Sequence, residues 1–426
     1  HRITLTISVY GMKFPRSIIT VLYLGLLILL LYELSILFRP SAKKAIKPFF
    51  PDRHRAQRCA TLFSKDATKS HNTSKRLTSL YTNEYFLRLN ENVGEYCKDF
   101  KQALFPKPVP ISEEEREFPL AFLLTVYKDI NQVARLLRLI YRQQNFYAIH
   151  VDKKSPLEFH NAVQEIALCF GNNVGVVPLN ESINVKWGDY TVLEQELVAA
   201  RLLLKMGKWK YLINLTGQEL PLKTNLELVL GLKMLNGSNI VPSTFKRRYV
   251  NRIPKVNLSF PVKWMKNSVH IVARREFVGF MLNDKRAIEV REALRQFAYS
   301  KHPDEQFYGT LAYNPDLGAP GACLKPYEYD DKNVSAIRLP DIIRYKLWYP
   351  RPCPTKYVRS ICILGSQHLP ELISSHYLFA NKFHEDYFPE GYDCLEHAIA
   401  DRTYTGPAPG FNPSIFANLY CSSEHI

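Results

Sequence analysis

Residues 119–126 read Pro119-Leu-Ala-Phe-Leu-Leu-Thr-Val126, a short apolar run that is typical of a buried strand. Helical apolar spacing follows over Ile130–Arg142, and a second apolar run, Asn145–Asp152, ends in polar residues. Strand, helix and strand within about thirty residues form a β-α-β unit, which connects parallel strands. The stretch therefore predicts an α/β domain built on a mostly parallel sheet.

The same alternation of apolar runs and helical periodicity continues as far as residue 235. It predicts helices over Ser155–Phe170, Thr191–Met206 and Asn225–Leu235, and strands over Val174–Pro178 and Tyr211–Leu215. In open sheets of this kind, ligands bind beyond the carboxyl ends of the strands. Asp152, Glu181–Trp187 and Thr216–Glu219 follow such ends. No glycine-rich phosphate-binding motif follows a strand, which argues against a dinucleotide enzyme or a P-loop kinase.

A second stretch, Ser300-Lys-His-Pro-Asp-Glu-Gln-Phe-Tyr-Gly-Thr-Leu311, contains the candidate catalytic residue. Pro303 fits the first position of a helix, so that Asp304 and Glu305 lie in the first turn, where the helix dipole favours carboxylates. Acids after a helix-starting proline are common, so this placement alone is a weak indication of catalysis. The aromatic pair that follows, and two isolated cations downstream, make Glu305 the candidate base. Asp304 is expected to be a structural acid.

The N-terminal part of the chain indicates a membrane anchor. Residues 18–38 read IITVLYLGLLILLLYELSILF, which is about the length that spans a bilayer as a helix. No small-residue cleavage site follows it, so we expect an uncleaved anchor. The predicted organisation is a cytoplasmic tail (1–17), a transmembrane signal-anchor (18–38), a stem (39–117), a single catalytic domain (118–402) and a C-terminal tail (403–426).

Charge, sequons and cysteines indicate the compartment. The net charge of +16 is dispersed and accompanies no nucleic-acid-binding motif, so nucleic acid is not an expected partner. Eight scattered cysteines without a Cys-X-X-Cys pair favour disulfides over zinc. A sequon at Asn214 lies in an apolar run, where burial is expected rather than glycosylation. Exposed sequons in a secretory lumen would be N-glycosylated at Asn72, Asn180, Asn236, Asn257 and Asn333.

The sequence lacks an Asp-X-Asp motif, which in many nucleotide-sugar enzymes binds the metal that holds the donor diphosphate. If the ligand is a nucleoside diphosphate, other cations must neutralise it. The candidates are Arg359 and Lys382, since each lies among apolar or aromatic residues. Arg binds phosphate with a bidentate fork and Lys as a point charge. The alternative for either residue alone is a side chain that extends from a strand edge to solvent.

Several motifs of the chain, in consistent order from about residue 118 to residue 402, resemble the core-2/I-branching β-1,6-N-acetylglucosaminyltransferase family. They are Asn145-Phe-Tyr-Ala-Ile-His-Val-Asp-Lys153, Trp209-Lys-Tyr-Leu-Ile-Asn-Leu-Thr-Gly-Gln-Glu-Leu-Pro-Leu-Lys-Thr224, Arg275-Glu-Phe-Val278, Pro303-Asp-Glu305, Val358-Arg-Ser-Ile-Cys362 and Leu378-Phe-Ala-Asn-Lys-Phe383. The resemblance therefore covers most of the chain after the predicted stem.

This resemblance implies a single-pass type II Golgi membrane protein with its catalytic domain in the lumen. The implied fold is a GT-A-like, mixed, mostly parallel sheet with flanking helices. The implied chemistry is an inverting, metal-independent transfer without a cofactor, from a UDP-sugar to an O-glycan or glycoprotein acceptor. Such a transfer needs one base opposite the leaving group and positive charge at the departing diphosphate.

By motif position, Glu305 resembles the family's general base, which acts on the acceptor 6-hydroxyl. Arg359 and Lys382 correspond to the ligands of the diphosphate, and Asp152 to a contact with the nucleoside. The family's aromatic platform for the acceptor corresponds to Trp348 and Tyr349. The resemblance also suggests the disulfides Cys59–Cys394, Cys97–Cys169 and Cys353–Cys362, which leaves Cys323 to pair with Cys421.

Other residues receive structural interpretations, each with a functional alternative. His150 is expected to be a hydrogen-bonded structural histidine rather than a base. Trp187 is expected to be half-buried packing, with stacking on a sugar face as the alternative. Lys246-Arg-Arg248 is expected to be a solvated basic loop, with acceptor or diphosphate contact as the alternative. The Lys and Arg that contact the acceptor in vertebrate members of the family have no clear counterparts here.

The sequence thus predicts transfer of GlcNAc from UDP-GlcNAc to the 6-hydroxyl of Gal or GalNAc on O-glycans. Two alternatives stay open. One is a related transferase of another UDP-sugar, such as glucose or xylose, although the extra C-terminal domain of peptide xylosyltransferases is not found. The other is a catalytically silent glycan-binding membrane protein, against which the combination of Glu305, Arg359 and Lys382 argues.

Overall fold

The computed structural model describes residues 24–31, 59–64, 81–91, 94–244, 251–296, 302–324, 341–384, 386–419 and 421–426. Its strands are β1 (Leu120–Val126), β2 (Phe146–Val151), β3 (Val174–Val176), β4 (Tyr211–Thr216), β5 (Glu219–Pro221), β6 (Ser243–Thr244), β7 (Lys266–Asn267), β8 (Val272–Arg274), β9 (Arg344–Tyr345), β10 (Tyr357–Val358), β11 (Ile361–Cys362) and β12 (Phe379–Asn381). The α/β class and the first four predicted strands are confirmed.

The central sheet has the order β3-β2-β1-β4-β8. Its first four strands are parallel, and β8 is antiparallel to β4. The register joins Thr125 of β1 to His150 of β2 on one side and to Thr216 of β4 on the other. The carboxyl ends of β1, β2 and β4 therefore lie side by side, which is the edge where the sequence predicts ligand binding.

Both faces of the central sheet are buried, as expected for parallel strands covered by helices. Because side chains alternate along a strand, Phe122 and Leu124 pack on one face while Ala121 and Leu123 pack on the other. The longer helices that cover the two faces are Ile130–Ile140, Leu157–Phe170, Asn225–Lys233, Thr191–Met206, Arg275–Asn283 and Lys285–Gln296. The fold is thus a mixed α/β sheet with flanking helices, which is consistent with a GT-A-like arrangement.

A second, three-stranded sheet has the order β5-β12-β9. It packs with the helix Pro389–Thr405 in a third apolar cluster. Further α-helices are Asn83–Leu87, Glu95–Leu104, Glu113–Glu117, Phe307–Ala312, Leu369–Ile373 and Ser414–Ala417. Strand β12 leads directly into Lys382, so this sheet sets the position of one of the two predicted diphosphate ligands.

Part of the predicted stem folds onto the central sheet. Phe86 and Leu89 precede the helix Glu95–Leu104, and Phe100 and Leu104 lie within it; all four are buried in the same core as strand β1. The following helix, Glu113–Glu117, starts with a capping box in which Ser112 and Glu115 exchange hydrogen bonds. Residues 81–91 and 94–117 of the predicted stem therefore contribute to the folded domain.

Four disulfides cross-link the described chain. They join Cys59 to Cys394, Cys97 to Cys169, Cys323 to Cys421 and Cys353 to Cys362, which are the pairs expected from the sequence. The first attaches residues 59–64 to the helix Pro389–Thr405. The third attaches the predicted C-terminal tail, in which Phe416 is also buried in the core, so this tail too belongs to the folded domain.

The predicted membrane anchor at 18–38 lies mostly outside the described residues. Residues 24–31 of it are described and form a helix. Within the described part of the chain, no helix has both the length and the apolar character needed to cross a membrane.

The helix Ile130–Ile140 is buried on all sides, including its arginines. Arg135 donates from Nε to Glu396 at 2.7 Å and from Nη2 to Asp393 at 2.5 Å, and Arg138 donates to the other oxygen of Glu396 at 2.8 Å. The ring of Tyr392 lies 4.2 Å from the Arg135 guanidinium carbon. This ion-pair cluster joins the helix that follows β1 to the helix Pro389–Thr405 across the core.

Arg135→Met is expected to lower the free energy of unfolding by about 3–5 kcal/mol, because it removes the buried guanidinium that contacts both Asp393 and Glu396. Urea unfolding of the purified protein measures the change. The matched control is Arg88→Ala, since the Arg88–Glu91 ion pair is exposed and its loss costs at most about 1 kcal/mol. Equal, small effects in the two variants would show that the cluster contributes no more than a surface pair.

Candidate active site

Residues at the carboxyl end of β2 form hydrogen bonds with the loop that connects β3 to the helix Thr191–Met206. Asp152 follows the strand, and its Oδ1 accepts from the backbone N–H groups of Lys154 at 3.0 Å and Val185 at 3.4 Å. The buried His150 accepts from Ile183 N at 2.9 Å, and burial lowers its pKa to about 4. His150 is therefore the structural histidine that the sequence predicts. Together, Asp152 and His150 fix the course of the loop at residues 183–185.

Glu305 lies in a short 3₁₀ turn, Pro303–Glu305, that precedes the helix Phe307–Ala312. The turn begins after His302, whose φ of 53° is in the left-handed region. Pro303 occupies the first position, as predicted, although the turn is a 3₁₀ turn and not the start of a continuous α-helix. His302 N donates to Gly188 O at 3.1 Å, so the turn that carries Glu305 is bonded to the loop that follows β3.

Two cations contact the carboxylate of Glu305. Arg252 Nη1 lies 2.8 Å and Lys266 Nζ 3.3 Å from the same oxygen, Oε2. Burial by itself raises the pKa of Glu305, but Lys266, His302 and Arg252 outweigh this effect and lower the pKa overall. Glu305 is therefore ionised at neutral pH and can accept a proton, while about a quarter of its side chain is exposed.

Asp304, next to Glu305 in sequence, differs from it in protonation state. It is buried, and its Oδ1 has no hydrogen-bond partner among the described residues. Burial, with repulsion from Glu305 and Glu196, raises its pKa to about 8. Asp304 thus holds a proton where Glu305 does not, because only Glu305 has cations against its oxygens. This supports the interpretation of Asp304 as a structural acid.

Arg359 lies at the tip of a β-hairpin formed by β10 and β11. It and Ser360 are the two residues between the strands, with φ values of 52° and 64°. Positive φ at both positions is typical of a type I′ turn, in which Asn-Gly is favoured. For residues other than glycine this conformation costs roughly 1–2 kcal/mol each. The disulfide Cys353–Cys362 closes the base of the hairpin, and Arg359 is exposed at its tip.

Lys382 directly follows β12 and lies close to Arg359. Burial lowers the pKa of Lys382, and repulsion from Arg359 and Lys128 lowers it further. Lys128 follows β1 and is ion-paired with Asp129 at 3.2 Å. The neighbouring Phe383 N donates to Gln218 O at 2.9 Å, which attaches Lys382 to the residues after β4. An anion bound here would relieve the repulsion among the cations.

Trp187 lies between Arg359 and His302, the residue that precedes the turn of Glu305. Its ring centroid lies 5.7 Å from the Arg359 guanidinium carbon and 4.7 Å from the His302 ring, which meets it edge-on. About two thirds of the side chain is exposed. The expectation that Trp187 is half-buried packing is therefore wrong: the loop after β3 holds its ring in solvent, between the hairpin of Arg359 and the turn of Glu305.

Trp348 and Tyr349 are both exposed, on a segment that pairs with the hairpin of Arg359. Trp348 forms a bridge with Ile361, and Tyr349 N donates to Ser360 O at 3.0 Å. Lys346 Nζ lies 5.7 Å from the Trp348 ring centroid. Burial lowers the pKa of Lys346 to about 8, although the charge of Glu305 is among those that oppose the shift. The aromatic pair thus borders the same region as the base and the hairpin.

Residues 183–188 therefore contact Asp152, Arg359 and, through His302, the turn that carries Glu305, while repulsion from Arg359 acts on Lys382. The sequence interpretation missed Arg252 and Lys266, which contact Glu305. The basic cluster at 246–248 lies outside the described residues. Within the described part of the chain, no group of three His, Cys, Asp or Glu side chains is arranged to hold a metal ion. The roles of the site residues stay predictions.

The structure describes three of the five predicted glycosylation sites. Asn180, Asn236 and Asn257 are exposed, as an acceptor must be, whereas Asn72 and Asn333 lie outside the described residues. Asn214 is buried, and its amide donates to Glu196 and to Val269 O. The expectation that Asn214 is buried rather than available for glycosylation is confirmed.

The chain is similar to known proteins over most of its length. The Core-2/I-Branching enzyme family matches residues 120–373. The chain is 35% identical over 351 residues to a human beta-1,3-galactosyl-O-glycosyl-glycoprotein beta-1,6-N-acetylglucosaminyltransferase, covering 75% of this chain and 77% of that protein. It is 33% identical over 328 residues to a mouse N-acetyllactosaminide beta-1,6-N-acetylglucosaminyl-transferase, covering 72% and 78%. A protein of bovine herpesvirus 4 with the same name as the human one is 32% identical, with 78% of each chain covered.

Proposed function

The chain belongs to the core-2/I-branching enzyme family and is a glycosyltransferase, and from this premise we propose that it transfers GlcNAc from UDP-GlcNAc to the 6-hydroxyl of a galactose or N-acetylgalactosamine on O-glycans. The acceptor is proposed from the names of its relatives, which describe transferases of galactosyl glycoproteins or N-acetyllactosaminides. The observation that carries the proposal is the ionised Glu305 beside a loop that also contacts Arg359.

The proposed reaction is a single inverting displacement. Glu305 accepts the proton of the acceptor hydroxyl as its oxygen bonds to the anomeric carbon of the donor sugar. The bond from that carbon to the diphosphate breaks, and its electron pair goes to the departing UDP. The lowered pKa of Glu305 keeps it ionised for this step. Arg359 and Lys382 supply positive charge where the diphosphate gains negative charge.

Other residues of the site have proposed binding roles. Asp152 contacts the nucleoside from the end of β2, where the nucleotide is expected in a sheet of this kind. Trp348 and Tyr349 present exposed aromatic faces to the acceptor. We place the catalytic domain in the Golgi lumen, behind an N-terminal anchor at 18–38. Four disulfides and three exposed sequons support an oxidising secretory compartment.

An array of UDP-sugars against glycan acceptors tests the function. UDP release and mass spectrometry of the products are measured for UDP-GlcNAc, UDP-glucose and UDP-xylose. Transfer of GlcNAc to the 6-hydroxyl of a galactosyl acceptor is the expected result. Transfer of glucose or xylose instead would assign another donor within the same reaction class. Acceptor binding without turnover of any donor would identify a glycan-binding protein and contradict the proposed catalysis.

Removal of divalent metal is expected to leave the rate unchanged. The reason is that Arg359 and Lys382 take the place of a cation opposite the diphosphate in the proposed mechanism. Initial rates are compared after extensive EDTA treatment and after addition of manganese or magnesium. A rate that disappears in EDTA and returns with manganese would contradict metal independence, although it would leave the assignment of Glu305 as the base untouched.

A further inference from the structure

The guanidinium of Arg359 is held by a ring and not by an acid. Among the residues that the structure describes, it forms no hydrogen bond and no ion pair, and the ring of Trp187 faces it with its centroid 5.7 Å away. Arg135 provides the contrast, because it packs on the Tyr392 ring and also pairs with two buried carboxylates. The N–H donors of Arg359 are therefore available to a ligand.

A ring and a carboxylate hold a guanidinium in different ways. A carboxylate binds the N–H edge and balances the charge, so that the donors it occupies are lost to any other anion. An aromatic ring contacts the flat face, which leaves both the N–H edge and the charge free to act. An arginine that binds a diphosphate can therefore be held in place by a ring without giving up the groups that bind the phosphates.

The backbone on both sides of Trp187 is fixed by hydrogen bonds. Val185 N donates to Asp152 Oδ1 at 3.4 Å, and Gly188 O accepts from His302 N at 3.1 Å. Gly188 has a φ of 78°, in the left-handed region that glycine adopts without steric cost. The loop therefore holds the position of the Trp187 ring even though the ring is largely exposed and not packed in the core.

His302 connects this ring to the turn of the proposed base. Its ring meets the Trp187 ring edge-on, with 4.7 Å between the centroids, and its backbone oxygen accepts from Glu305 N at 3.0 Å. Trp187 thus lies against the Arg359 guanidinium and also against the residue that precedes the turn. In an inverting displacement the base and the leaving group act on opposite sides of one carbon, so their relative position has to be set accurately.

We propose that Trp187 is a positioning residue: its ring holds the Arg359 guanidinium in the orientation that binds the donor diphosphate, and its contact with His302 sets that orientation relative to Glu305. This inference rests on the proposed function, in which Arg359 is a ligand of the diphosphate. An exposed arginine loses rotamer freedom when it binds a ligand, and ordering by the ring beforehand lowers this cost. Trp187 acts through Arg359 and is not itself a catalytic residue.

Calorimetric UDP binding to the full chain tests the proposal through a double-mutant cycle. Trp187→Leu keeps an apolar side chain but removes the ring, so it is expected to weaken UDP binding about three- to ten-fold, the cost of ordering one long side chain. Trp187→Tyr keeps an aromatic face and is expected to lose less. In a chain that already carries Arg359→Met, Trp187→Leu is expected to have almost no further effect, because the group that the ring positions is absent.

The coupling between the two residues distinguishes positioning from a general structural role. If Trp187 only stabilised the loop, Trp187→Leu would weaken UDP binding by the same factor with and without Arg359, and this result would overturn the proposal. An unchanged affinity in the Leu variant would overturn it too. So would weaker binding of UDP-GlcNAc with unchanged binding of UDP, because the ring would then contact the sugar itself.

Tyr96→Leu is the matched control. It removes the ring of another arginine–aromatic pair, in which the Arg88 guanidinium carbon lies 5.4 Å from the ring centroid, in the predicted stem and outside the candidate site. Its affinity for UDP is expected to equal that of the wild type. A loss as large as that of Trp187→Leu would show that removing any such pair affects UDP binding, which would overturn the specific role of Trp187.

Transfer assays separate failure of this inference from failure of the proposed function. Sugar transfer by the wild type without coupling between Trp187 and Arg359 in UDP binding would overturn the positioning role and leave the function in place. Coupling in UDP binding without transfer of any sugar would support the positioning role and contradict the function. A wild-type chain that binds no UDP would contradict the proposed donor and would overturn the inference with it.

Discussion

Glu305→Gln is expected to lower kcat for sugar transfer by about 10²–10⁴-fold, the range for loss of a positioned general base. The amide has nearly the same size, but it cannot accept the proton of the acceptor hydroxyl. The affinity for UDP is expected to stay unchanged, since Glu305 contacts Arg252 and Lys266 and not the proposed diphosphate ligands. Single-turnover transfer and calorimetric UDP binding measure the two quantities separately.

The neighbouring acid provides a matched control for this substitution. Asp304→Asn replaces a carboxyl group that already holds its proton at neutral pH, so it is expected to retain most of the activity. The pH profile gives a second check. Because the pKa of Glu305 is below the ordinary value of 4.5, kcat/KM in the wild type should fall only below that pH. An acid limb near neutral pH, or full activity of Glu305→Gln, would assign the base elsewhere.

The strands of the central sheet were the most predictable part of this structure. Residues 120–126 and 146–151 are apolar runs of strand length, and a parallel strand that is covered on both faces needs little else from its sequence. The turn that carries Glu305 was predictable for a different reason, because Pro303 restricts the backbone at its first position. In both cases the determining interactions are local, so a single stretch of sequence contains them.

The cations at Glu305 could not be found in this way. Arg252 and Glu305 are 53 residues apart, and Lys266 belongs to strand β7. Each lies in a stretch where a basic residue has an ordinary explanation as a solvated surface charge. The packing of two separate segments, β7 and the residues around Arg252, near the 3₁₀ turn Pro303–Glu305 places both side chains against one carboxylate. The contact is therefore a property of the tertiary fold and not of a motif.

The helix in the predicted stem could be predicted from sequence, but the burial of the helix Ile130–Ile140 could not. Ser112 and Glu115 have the spacing of a capping box, which does indicate a helix start before strand β1. The burial of Arg135 and Arg138 had no such local signal, because their partners, Asp393 and Glu396, lie far along the chain. Periodicity alone assigns these arginines to solvent, whereas the ion pairs allow the whole helix to be buried.

Arg359→Met and Lys382→Met are each expected to lower kcat by about 10²–10³-fold, the effect of removing one group that stabilises developing negative charge. The departing diphosphate gains charge as the bond to the sugar breaks, so the loss should be larger in kcat than in UDP affinity. Arg359→Lys is expected to have an intermediate effect, since it keeps the charge but not the bidentate fork. Steady-state kinetics with a saturating acceptor measures each variant.

The conformation of the hairpin turn provides the control for Arg359. Ser360→Gly relaxes the second positive φ without removing a charge, so it should stabilise the protein by roughly 1 kcal/mol and leave the rate intact. If this change lowered the rate as much as Arg359→Met, the strained turn and not the guanidinium would be the functional element. The double Met variant should lose less than the product of the single losses, because Arg359 and Lys382 repel each other and removing one of them relieves the other of this repulsion.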